Sequence, residues 1–354
     1  MVNIDMPKNS KIVKKYPKVL NALRLKIRRG DYVGMLPGVQ QLARDFDVNF
    51  MTVNKAVNML VDENLLYRIP NKGTFVRRTY RVALVFLSRK DGRNQGRLTV
   101  YDDLIHGVEE ALNEKKLTMV FKNIDPETEL LSLKNMKNES DGVILLGDLN
   151  PRLDKTLDDF PAVRVMGAAD DNDNRDHVTF NNYSIGRLAA EHMRRKGHSE
   201  CAFVCSNDRQ LLLDRGTAFC ETLAKAGGHA SMIIPGIPNI VNGLKIDAIA
   251  GQLAKMLNEK PVPTGLFIPA AWMAGSICSF LNSRGVIPGK DIEIVTCDKE
   301  LMELSKLTPL PAYVDTHADL VGKKAVEMLS RRIEFPDSPP KKILLEPELM
   351  ENMS

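Results

Sequence analysis

Residues 38–61 read GVQQLARDFDVNFMTVNKAVNMLV, and this stretch decides the fold of the N-terminal part of the chain. The short run VQQLARDF predicts one helix, and Asp47-Val48-Asn49 after it is long enough only for a turn. The second half has apolar residues at i, i+3, i+4, i+7 and i+8, the buried face of an amphipathic helix. These residues are Val53, Ala56, Val57, Leu60 and Val61. The stretch therefore predicts two helices joined by a tight turn.

The second of these helices has polar groups opposite its apolar stripe. Asn49 stands just before it, where an Asn side chain accepts hydrogen bonds from the first helical N–H groups. Small polar donors at the start of such a helix match the geometry that reads base edges in the major groove. The residues predicted on this outward face are Met51, Thr52, Asn54, Lys55 and Asn58.

Residues 65–78, LLYRIPNKGTFVRR, predict a hairpin wing after the two helices. The stretch alternates as two short strands around a turn that contains Lys72 and Gly73. A lysine beside a flexible glycine suits close approach to a phosphate backbone. Lys72 and Gly73 are therefore candidate DNA contacts.

The positive charge of the chain is concentrated at its N-terminus. The net charge is +4, yet residues 1–78 contain 15 Lys and Arg against 6 Asp and Glu, so they carry +9 and the remainder carries −5. Part of this charge lies on a predicted amphipathic helix over 17–29. A basic head on an acidic body indicates a polyanion partner for the head alone. A solvated, lysine-rich terminus is the alternative interpretation.

From Tyr16 to Val76 the motifs LPGVQQLARDFDV, TVNKAVNML and LLYRIPNKGTFV resemble, in order and spacing, the winged helix-turn-helix of the GntR regulators. The resemblance implies a DNA-binding domain over 1–78 and double-stranded operator DNA as its partner. Gln40 replaces an arginine usual in the first of the two helices of the turn motif, and Asn49-Phe50 replaces the usual Ser-Arg. Gln40, Asn49 and Phe50 thereby join the candidate DNA contacts.

The chemistry of the second helix indicates which bases it reads. Asn54 stands where the family has a later arginine, and an Asn amide pairs bidentately with adenine. Phe50 and Met51 are suited to contact thymine methyl groups. For Phe50, packing beneath the wing is an equally good alternative.

From Arg81 onward the pattern changes to short apolar runs separated by helical stretches. The runs are RVALVFL, LTMVF, GVILLG, AVRVMG, CAFVC, SMIIP, TGLFIP and IEIVTC. Strands that alternate with helices indicate parallel sheets flanked by helices, and these runs exceed one sheet of typical size. The sequence therefore predicts an α/β body of two doubly wound lobes over 79–354, joined to the head almost without a linker.

Parts of the body resemble the effector-binding domain of LacI/GalR repressors, which is itself similar to periplasmic sugar-binding proteins. The parts are FNNYSIGRLAAEHMRRKGHSECAFVC, LLLDRGTAF, TGLFIPAAWMAGSICSFLNSRGVIPGKDIEIVTCD and PLPAYVDTHADLVGKKAVEML. The resemblance implies a bilobal, periplasmic-binding-protein-like fold with a cleft for a small polar effector such as a sugar. It places the chain crossings between the lobes near Gly197, Asp315 and Phe335.

The same resemblance assigns residues to the cleft. Arg215 takes the place of the arginine that grips the effector, and Asp298 that of the aspartate that accepts sugar hydroxyls. A salt bridge between these two across an empty cleft is the alternative role. Asn181 stands where an aspartate is more usual, and Ala270-Ala271 replace the usual Asn-Asp. Further candidates are Trp272, which either stacks on the ligand or fills a core gap, and Tyr101 and Asp148 at the ends of predicted loops.

The sequence contains no motif for catalysis or for a bound metal. It lacks GxSxG, Walker A, HExxH and a GxGxxG run after a strand, and its six histidines have no metal-ligand spacing. The polar run DDNDNRD at 170–176 lacks the spacing and glycine of a calcium loop and is interpreted as a solvated loop. His192 and His198, near a helix end, are interpreted as surface caps. We expect no enzymatic activity, no cofactor and no metal ion.

Composition and cysteine content limit the class of protein. Of the 354 residues, 44% are hydrophobic and 27% charged, as in ordinary globular proteins. No apolar run reaches the ~18 residues of a bilayer span, and the first fifteen residues hold no apolar signal core. The five cysteines form no CxxC pair, which indicates reduced thiols. We expect a cytoplasmic protein without a membrane partner.

The leading hypothesis is a homodimeric, sequence-specific transcriptional regulator, a repressor gated by a small polar metabolite. Paired heads would meet two half-sites, and ligand closure of the cleft would alter their spacing. The alternatives are a DNA-binding regulator with a degenerate cleft, a ligand-binding protein serving transport, and an enzyme on a doubly wound fold. The basic head disfavours the transport protein, and the lack of an assembled nucleophile or base disfavours the enzyme.

Overall fold

The structure, a computed structural model of the chain, consists of two compact units, Met1–Thr79 and Tyr80–Ser354. The first contains the predicted helix-turn-helix and wing, and the second contains two six-stranded sheets. The residues that the structure describes are 16–29, 31–32, 34–63, 65–77, 81–87, 99–125, 129–147, 151–158, 160–167, 174–205, 209–234 and 247–351.

The described part of the first unit has three helices followed by a hairpin. The elements are α1 (Tyr16–Arg29), α2 (Val39–Asp45), α3 (Phe50–Asp62), β1 (Leu66–Ile69) and β2 (Gly73–Val76). One stripe of α3 is fully enclosed against α1 and α2, as the i, i+3, i+4 spacing predicts: Val53, Ala56, Val57 and Leu60. Val61, at the end of the stripe, is half-buried. The two predicted helices and their turn are confirmed.

The predicted wing is also confirmed. Strands β1 and β2 pair antiparallel, with Leu66 opposite Val76 and Ile69 opposite Gly73. The backbone of Gly73 has φ +128°, a conformation that residues with a side chain rarely adopt. The backbone conformation of the turn therefore requires Gly73, independently of any contact with DNA.

The first sheet of the body is all parallel, in the order β13-β7-β6-β5-β3-β4. Its strands are β3 (Arg81–Leu87), β4 (Thr118–Ile124), β5 (Gly142–Leu146), β6 (Ala162–Val165), β7 (Asp176–Phe180) and β13 (Lys342–Leu345). The helices between them are α4 (Thr99–Glu114), α5 (Leu130–Glu139) and α6 (Pro151–Thr156). Helix α12 (Ala318–Glu334) packs on α4 and on β5, β6 and β7, so it belongs to the same lobe.

The second sheet has the order β14-β12-β11-β10-β8-β9, parallel except for the antiparallel β14. Its strands are β8 (Glu200–Val204), β9 (His229–Ile233), β10 (Gly265–Ile268), β11 (Glu293–Cys297), β12 (Ala312–Asp315) and β14 (Glu348–Met350). Its helices are α7 (Asn182–Arg195), α8 (Gln210–Lys225), α9 (Asp247–Asn258), α10 (Ala271–Ser283) and α11 (Leu301–Leu304). The predicted α/β fold with two lobes is confirmed.

The chain passes between the lobes at three places, two of which differ from the expected positions. The first crossing lies at 180–182 and not near Gly197, because α7 already packs on α8 and on the second sheet. The second lies at 315–318, close to the expected Asp315. The third lies at 345–348 and not near Phe335, because β13 still pairs with β7.

Strand β7 departs from the sequence interpretation because its polar residues are buried. Asp176, assigned to a solvated loop, is enclosed and accepts from Arg332 Nε at 2.7 Å and Nη2 at 3.1 Å. His177 Nε2 lies 2.7 Å from the Met166 carbonyl oxygen. A buried polar side chain is tolerated when it is bonded in this way.

Among the described residues, no helix is long and apolar enough to cross a membrane.

Candidate DNA-binding surface and effector site

The start of α3 is held by a side-chain cap. Oδ1 of Asn49 accepts from both the backbone N–H and the hydroxyl of Thr52, each at 2.8 Å. The predicted cap is therefore confirmed. Because this oxygen and this hydroxyl proton are already engaged, Asn49 and Thr52 orient the helix start in the free protein.

Two apolar side chains stand in solvent beside this cap. Phe50 is 60% exposed and Met51 68% exposed, so Phe50 does not pack beneath the wing. Exposed large apolar side chains at neighbouring positions are typical of an interaction surface. The remaining candidates Gln40, Lys72 and Gly73 are also exposed.

Two other candidates on α3 have partners within the head. The Lys55 ammonium lies 4.4 Å from the centroid of the Tyr16 ring. Asn54 Oδ1 accepts from Nη2 of Arg68 at 3.4 Å, and the same nitrogen donates to Asn58 Oδ1 at 2.5 Å. Sequence reasoning missed Arg68, which lies in β1 two residues after the buried Leu66 and so on the same face of the strand, the face that meets α3.

In the body, Arg215 on α8 is buried and 3% exposed. Its Nε donates to Asn182 Oδ1 at 2.9 Å, and its Nη1 donates to the Pro269 carbonyl at 2.6 Å and to Cys297 Sγ at 3.3 Å. The Phe180 ring lies beneath the guanidinium, 5.7 Å from it. All of these partners are uncharged. Among the described residues none accepts a hydrogen bond from Nη2.

Asp298 lies directly after β11, next to Arg215. Its Oδ1 accepts from the Thr316 hydroxyl at 3.3 Å and from the Cys297 thiol at 3.6 Å. Cys297 therefore contacts both Arg215 and Asp298, and the described residues contain no direct salt bridge between those two. Burial raises the pKa of the Asp298 carboxyl, against the opposing effect of the Arg215 charge. Asp298 also has φ +76°, a strained conformation of the kind that concentrates at functional sites.

Arg215 is buried because helices α7 and α8 pack closely against each other. A Cβ at Gly186 of α7 would lie 2.0 Å from the Arg215 carbonyl oxygen, so only glycine lets the helices approach this closely. Asn182 lies one turn earlier on the same face of α7 and bonds the Arg215 guanidinium. The family resemblance assigns the neighbouring Asn181 to the cleft and does not indicate Asn182. A signal was present, since Asn182 and Gly186 are spaced i, i+4.

The other cleft candidates have separate partners. Asn181 caps α7 by accepting from the Ser184 N–H at 3.1 Å, and its amide donates to Glu346 Oε1 at 2.8 Å. Trp272 packs against the apolar cluster that contains Ile268, as expected for a residue that fills a core gap. Tyr101 is half-buried, edge-on to Phe86 at 4.8 Å. Ala270 and Ala271 are buried, and Asp148 lies outside the described residues.

His192, interpreted as a surface cap, is instead enclosed between two carboxylates. Its Nε2 lies 3.0 Å from Glu293 Oε1 and its Nδ1 lies 2.5 Å from Glu351 Oε1. Glu351 is also bonded to Arg195 on the same helix, at 2.6 Å. These contacts attach the end of the chain to α7. The residues concerned are too far apart in sequence for a local pattern to reveal them.

Comparison with known proteins identifies both parts of the chain. Residues 15–76 match the family described as bacterial regulatory proteins, gntR family, and residues 190–354 match the periplasmic binding protein-like domain. The first match covers α1 to β2 of the head. The second covers the second sheet, α12 and the strands at the end of the chain.

Two relatives that align with more than two thirds of the chain are named as repressors. The HTH-type transcriptional repressor PurR of Vibrio atlanticus is 24% identical over 262 residues, covering 71% of this chain and 76% of the relative. The ribose operon repressor of Escherichia coli is 22% identical, covering 72% and 78%. The solved structure of a transcriptional regulator CelR-cellobiose complex has a TM-score of 0.64 and 22% identity, covering 85% of this chain and 89% of that one. The last likeness supports the bilobal fold.

These matches agree with the geometry of both units. The head has the capped recognition helix and wing of a winged helix-turn-helix, and the body has the two parallel sheets and three crossings of a bilobal binding domain. The chain is a transcriptional regulator that joins a DNA-binding domain matching the bacterial gntR family to a periplasmic binding protein-like domain similar to that of repressors such as PurR.

Proposed function

We propose that this regulator is a cytoplasmic repressor whose operator affinity is controlled by a small polar effector bound between the lobes of the body. The observation that carries the proposal is the buried Arg215, whose Nη2 donates to none of the described residues. A ligand oxygen could accept from Nη2, and a hydrogen bond from a charged guanidinium is stronger than one between neutral groups. Asp298, beside it, offers an acceptor for a ligand hydroxyl or N–H.

The position of this cluster supports its role as a ligand site. Pro269 follows β10, Cys297 is the last residue of β11 and Asp298 follows it, so all three lie at the carboxyl ends of strands, where open α/β sheets bind their ligands. Thr316, which donates to Asp298, lies in the second crossing, and Asn182, the first residue of α7, lies at the end of the first. A ligand here would touch groups next to the segments about which the lobes move.

The crossing segments are tied to one another. Asn181 of the first crossing donates to Glu346 of the third at 2.8 Å. His317 of the second lies 3.8 Å from Glu348 of the third. Since this hydrogen bond and this closer approach link the three crossings, we expect a movement at one crossing to affect the other two. Such a linked hinge suits a ligand that shifts the population between open and closed arrangements.

The effector class follows from the groups present. Arg215 supplies donors and Asp298 an acceptor, a pair that suits a hydroxylated ligand such as a sugar. The names of the relatives mention ribose and cellobiose, which are ligands of this class. Ala270 and Ala271 have no polar side-chain atoms, so fewer hydroxyls can be paired than with Asn and Asp. We therefore expect a smaller or less hydroxylated effector.

The test is calorimetric titration of the full chain with ribose, cellobiose, other sugars, and small carboxylic and amino acids. One compound should bind and change the affinity for operator DNA, and Asp298→Asn should weaken that binding. Arg187→Lys, a conservative change on the exposed side of α7, is the control. If no compound binds the unmutated chain, the degenerate cleft becomes the better explanation. If Asp298→Asn binds normally, the effector lies elsewhere.

For the head, we propose that α3 reads base edges while Lys72 and Gly73 of the wing contact phosphates. Binding of duplex DNA by the full chain should fall steeply as salt rises, because the head carries +9. Lys72→Ala should weaken binding to all sequences alike. Affinity that is insensitive to salt would contradict the proposal.

We further propose that the body forms a homodimer that pairs two heads on two half-sites. A candidate surface is the exposed face of α10, where Gly275, Ser276 and Ser279 line a shallow groove beside Phe280. Small residues let a second helix approach closely, and two copies of one face form a closed symmetric contact. Sedimentation of the full chain should give a dimer, and Ser279→Arg should shift it to monomer. A dimer that survives this substitution would place the interface elsewhere.

A further inference from the structure

Arg68 lies in the wing, outside the recognition helix, yet its guanidinium is bonded to that helix. Nη2 lies 2.5 Å from Oδ1 of Asn58 and 3.4 Å from Oδ1 of Asn54. Asn54 and Asn58 are one helical turn apart, so they share one face of α3. All three residues are exposed. They form a single polar surface, here called the Arg68 triad (Arg68, Asn54 and Asn58).

The direction of the hydrogen bonds within the triad is dictated by chemistry. An arginine side chain has N–H donors and no acceptor, so the amide oxygen of each Asn must face Nη2. Each amide therefore turns its NH2 group away from Arg68. A bidentate pair with adenine needs both the oxygen and the nitrogen of one amide. Because this oxygen of Asn54 already accepts from Arg68, the Asn54–adenine contact expected from sequence competes with the triad for the same atom.

The groups that the triad presents outward are donors. Nε and Nη1 of Arg68 donate to none of the described residues, and the same holds for the NH2 groups of Asn54 and Asn58. In the major groove, guanine presents two adjacent acceptors, N7 and O6, whereas adenine presents an acceptor beside a donor. A surface of donors matches guanine and would face the N6 donor of adenine with a second donor. A donor left unpaired in a closed interface is costly.

We propose that Arg68 is a base-reading residue that selects guanine within each operator half-site, with Asn54 and Asn58 as positioning residues. The proposal rests on the DNA-binding function of the head and deepens it. The two Asn side chains hold the guanidinium against the open face of α3 before DNA arrives. Less side-chain entropy is then lost on binding.

The test is selection of binding sites from random duplexes by the full chain, followed by affinity measurements on the selected site and on a guanine-to-adenine variant of it. The unmutated chain should prefer guanine at one position of the half-site by roughly tenfold or more. Arg68→Ala should abolish that preference. Arg68→Lys should reduce it while keeping most of the affinity, since lysine keeps the charge and can donate to guanine but loses the planar fork.

Arg24→Ala is the matched control, because it removes the same charge from an arginine of the head that is bonded to Glu63. It should leave base preference unchanged. The proposal is refuted if Arg68→Ala retains the guanine preference, or if it only lowers affinity for all sequences as a phosphate contact would. It is equally refuted if the selected base is adenine and Asn54→Ala removes the selection. Absence of sequence-selective binding by the unmutated chain would instead refute the function proposed for the head.

Discussion

The recognition surface of the head and the Arg215 cluster of the body are built in opposite ways. On α3 the candidate contacts are neighbours in sequence and mostly exposed, and the cap between Asn49 and Thr52 spans three residues. In the body, the partners of Arg215 are 33, 54 and 82 residues away, and the group is buried.

This contrast predicts how strongly substitutions in each region affect the stability of the protein. An exposed surface on a short helix depends on local propensity and capping, so single substitutions there should cost little stability. A buried charged group depends on every partner around it, because an unpaired buried polar atom has lost its water without compensation. The two regions should therefore respond very differently to the same chemical change.

The largest effect is expected at the helix crossing beneath Arg215. Gly186→Ala would place a Cβ 2.0 Å from the Arg215 carbonyl, so α7 and α8 must separate. Overpacking of this kind costs about 1 to 3 kcal/mol or more. Chemical unfolding of the full chain measures the loss. Gly251→Ala on α9 is the control, because a Cβ there meets nothing within 4 Å. Equal stability of the two variants would contradict the close crossing.

Replacing an asparagine in each region compares them directly. Asn182→Ala removes the acceptor of Arg215 Nε and should cost about 1 to 3 kcal/mol of unfolding free energy. Asn54→Ala, on the exposed face of α3, should cost less than about 0.5 kcal/mol. The two free energies of unfolding are measured under identical conditions. A cost at Asn54 as large as that at Asn182 would remove the distinction between the regions.

A smaller effect is expected at the cap of the recognition helix. Asn49→Ala leaves the Thr52 N–H without its acceptor and should destabilise the head by about 1 kcal/mol. Asn49→Ser, which retains a capping oxygen, should restore most of the loss. Thermal unfolding followed by circular dichroism gives both values. Identical melting of the Ala and Ser variants would show that the cap contributes nothing.

The smallest effect should appear only in acid. Hydrogen bonds from Arg195 and then His192 lower the pKa of Glu351 from about 4.5 to about 2. Because the folded pKa is the lower one, the resulting stability is present above about pH 4.5 and is lost as the pH falls toward about 2. Stability of Glu351→Gln should therefore fall less steeply over this range. Glu259→Gln, at an exposed carboxylate, controls for net charge, and parallel curves for both variants would contradict the prediction.

Much of the fold could be predicted because its signals are periodic and local. The helix stripe from Val53 to Leu60 and the hairpin around Lys72 lie where the patterns indicated. All eight apolar runs of the body coincide with strands β3 to β6 and β8 to β11. Strand β7 was missed because its Asp176 and His177 are polar, and their burial depends on Arg332 and on the Met166 carbonyl.

The sites were predicted less completely. Arg215 and Asp298 do lie together, yet they are joined through the thiol of Cys297, which has no sequence signature as a linker. Asn182 and not Asn181 reaches Arg215, because the side chain of Asn181 is used to cap α7. A family motif gives the residue types at a site. Which of the two neighbouring asparagines reaches Arg215 is decided by their positions at the start of α7, where Asn181 is the cap and Asn182 is the first helical residue.

The sequence by itself determined the class of protein: a basic winged helix-turn-helix followed by a two-lobed α/β body. The spacing of apolar residues and the local net charge depend on residues that are close together in the chain, so both can be read from the sequence alone. Only the tertiary structure decided that Arg68 of the wing engages the amide oxygens of Asn54 and Asn58, and that Gly186 lets α8 bring Arg215 to Asn182. Hydrogen bonds act over about 3 Å, and which groups come that close depends on how separate elements pack.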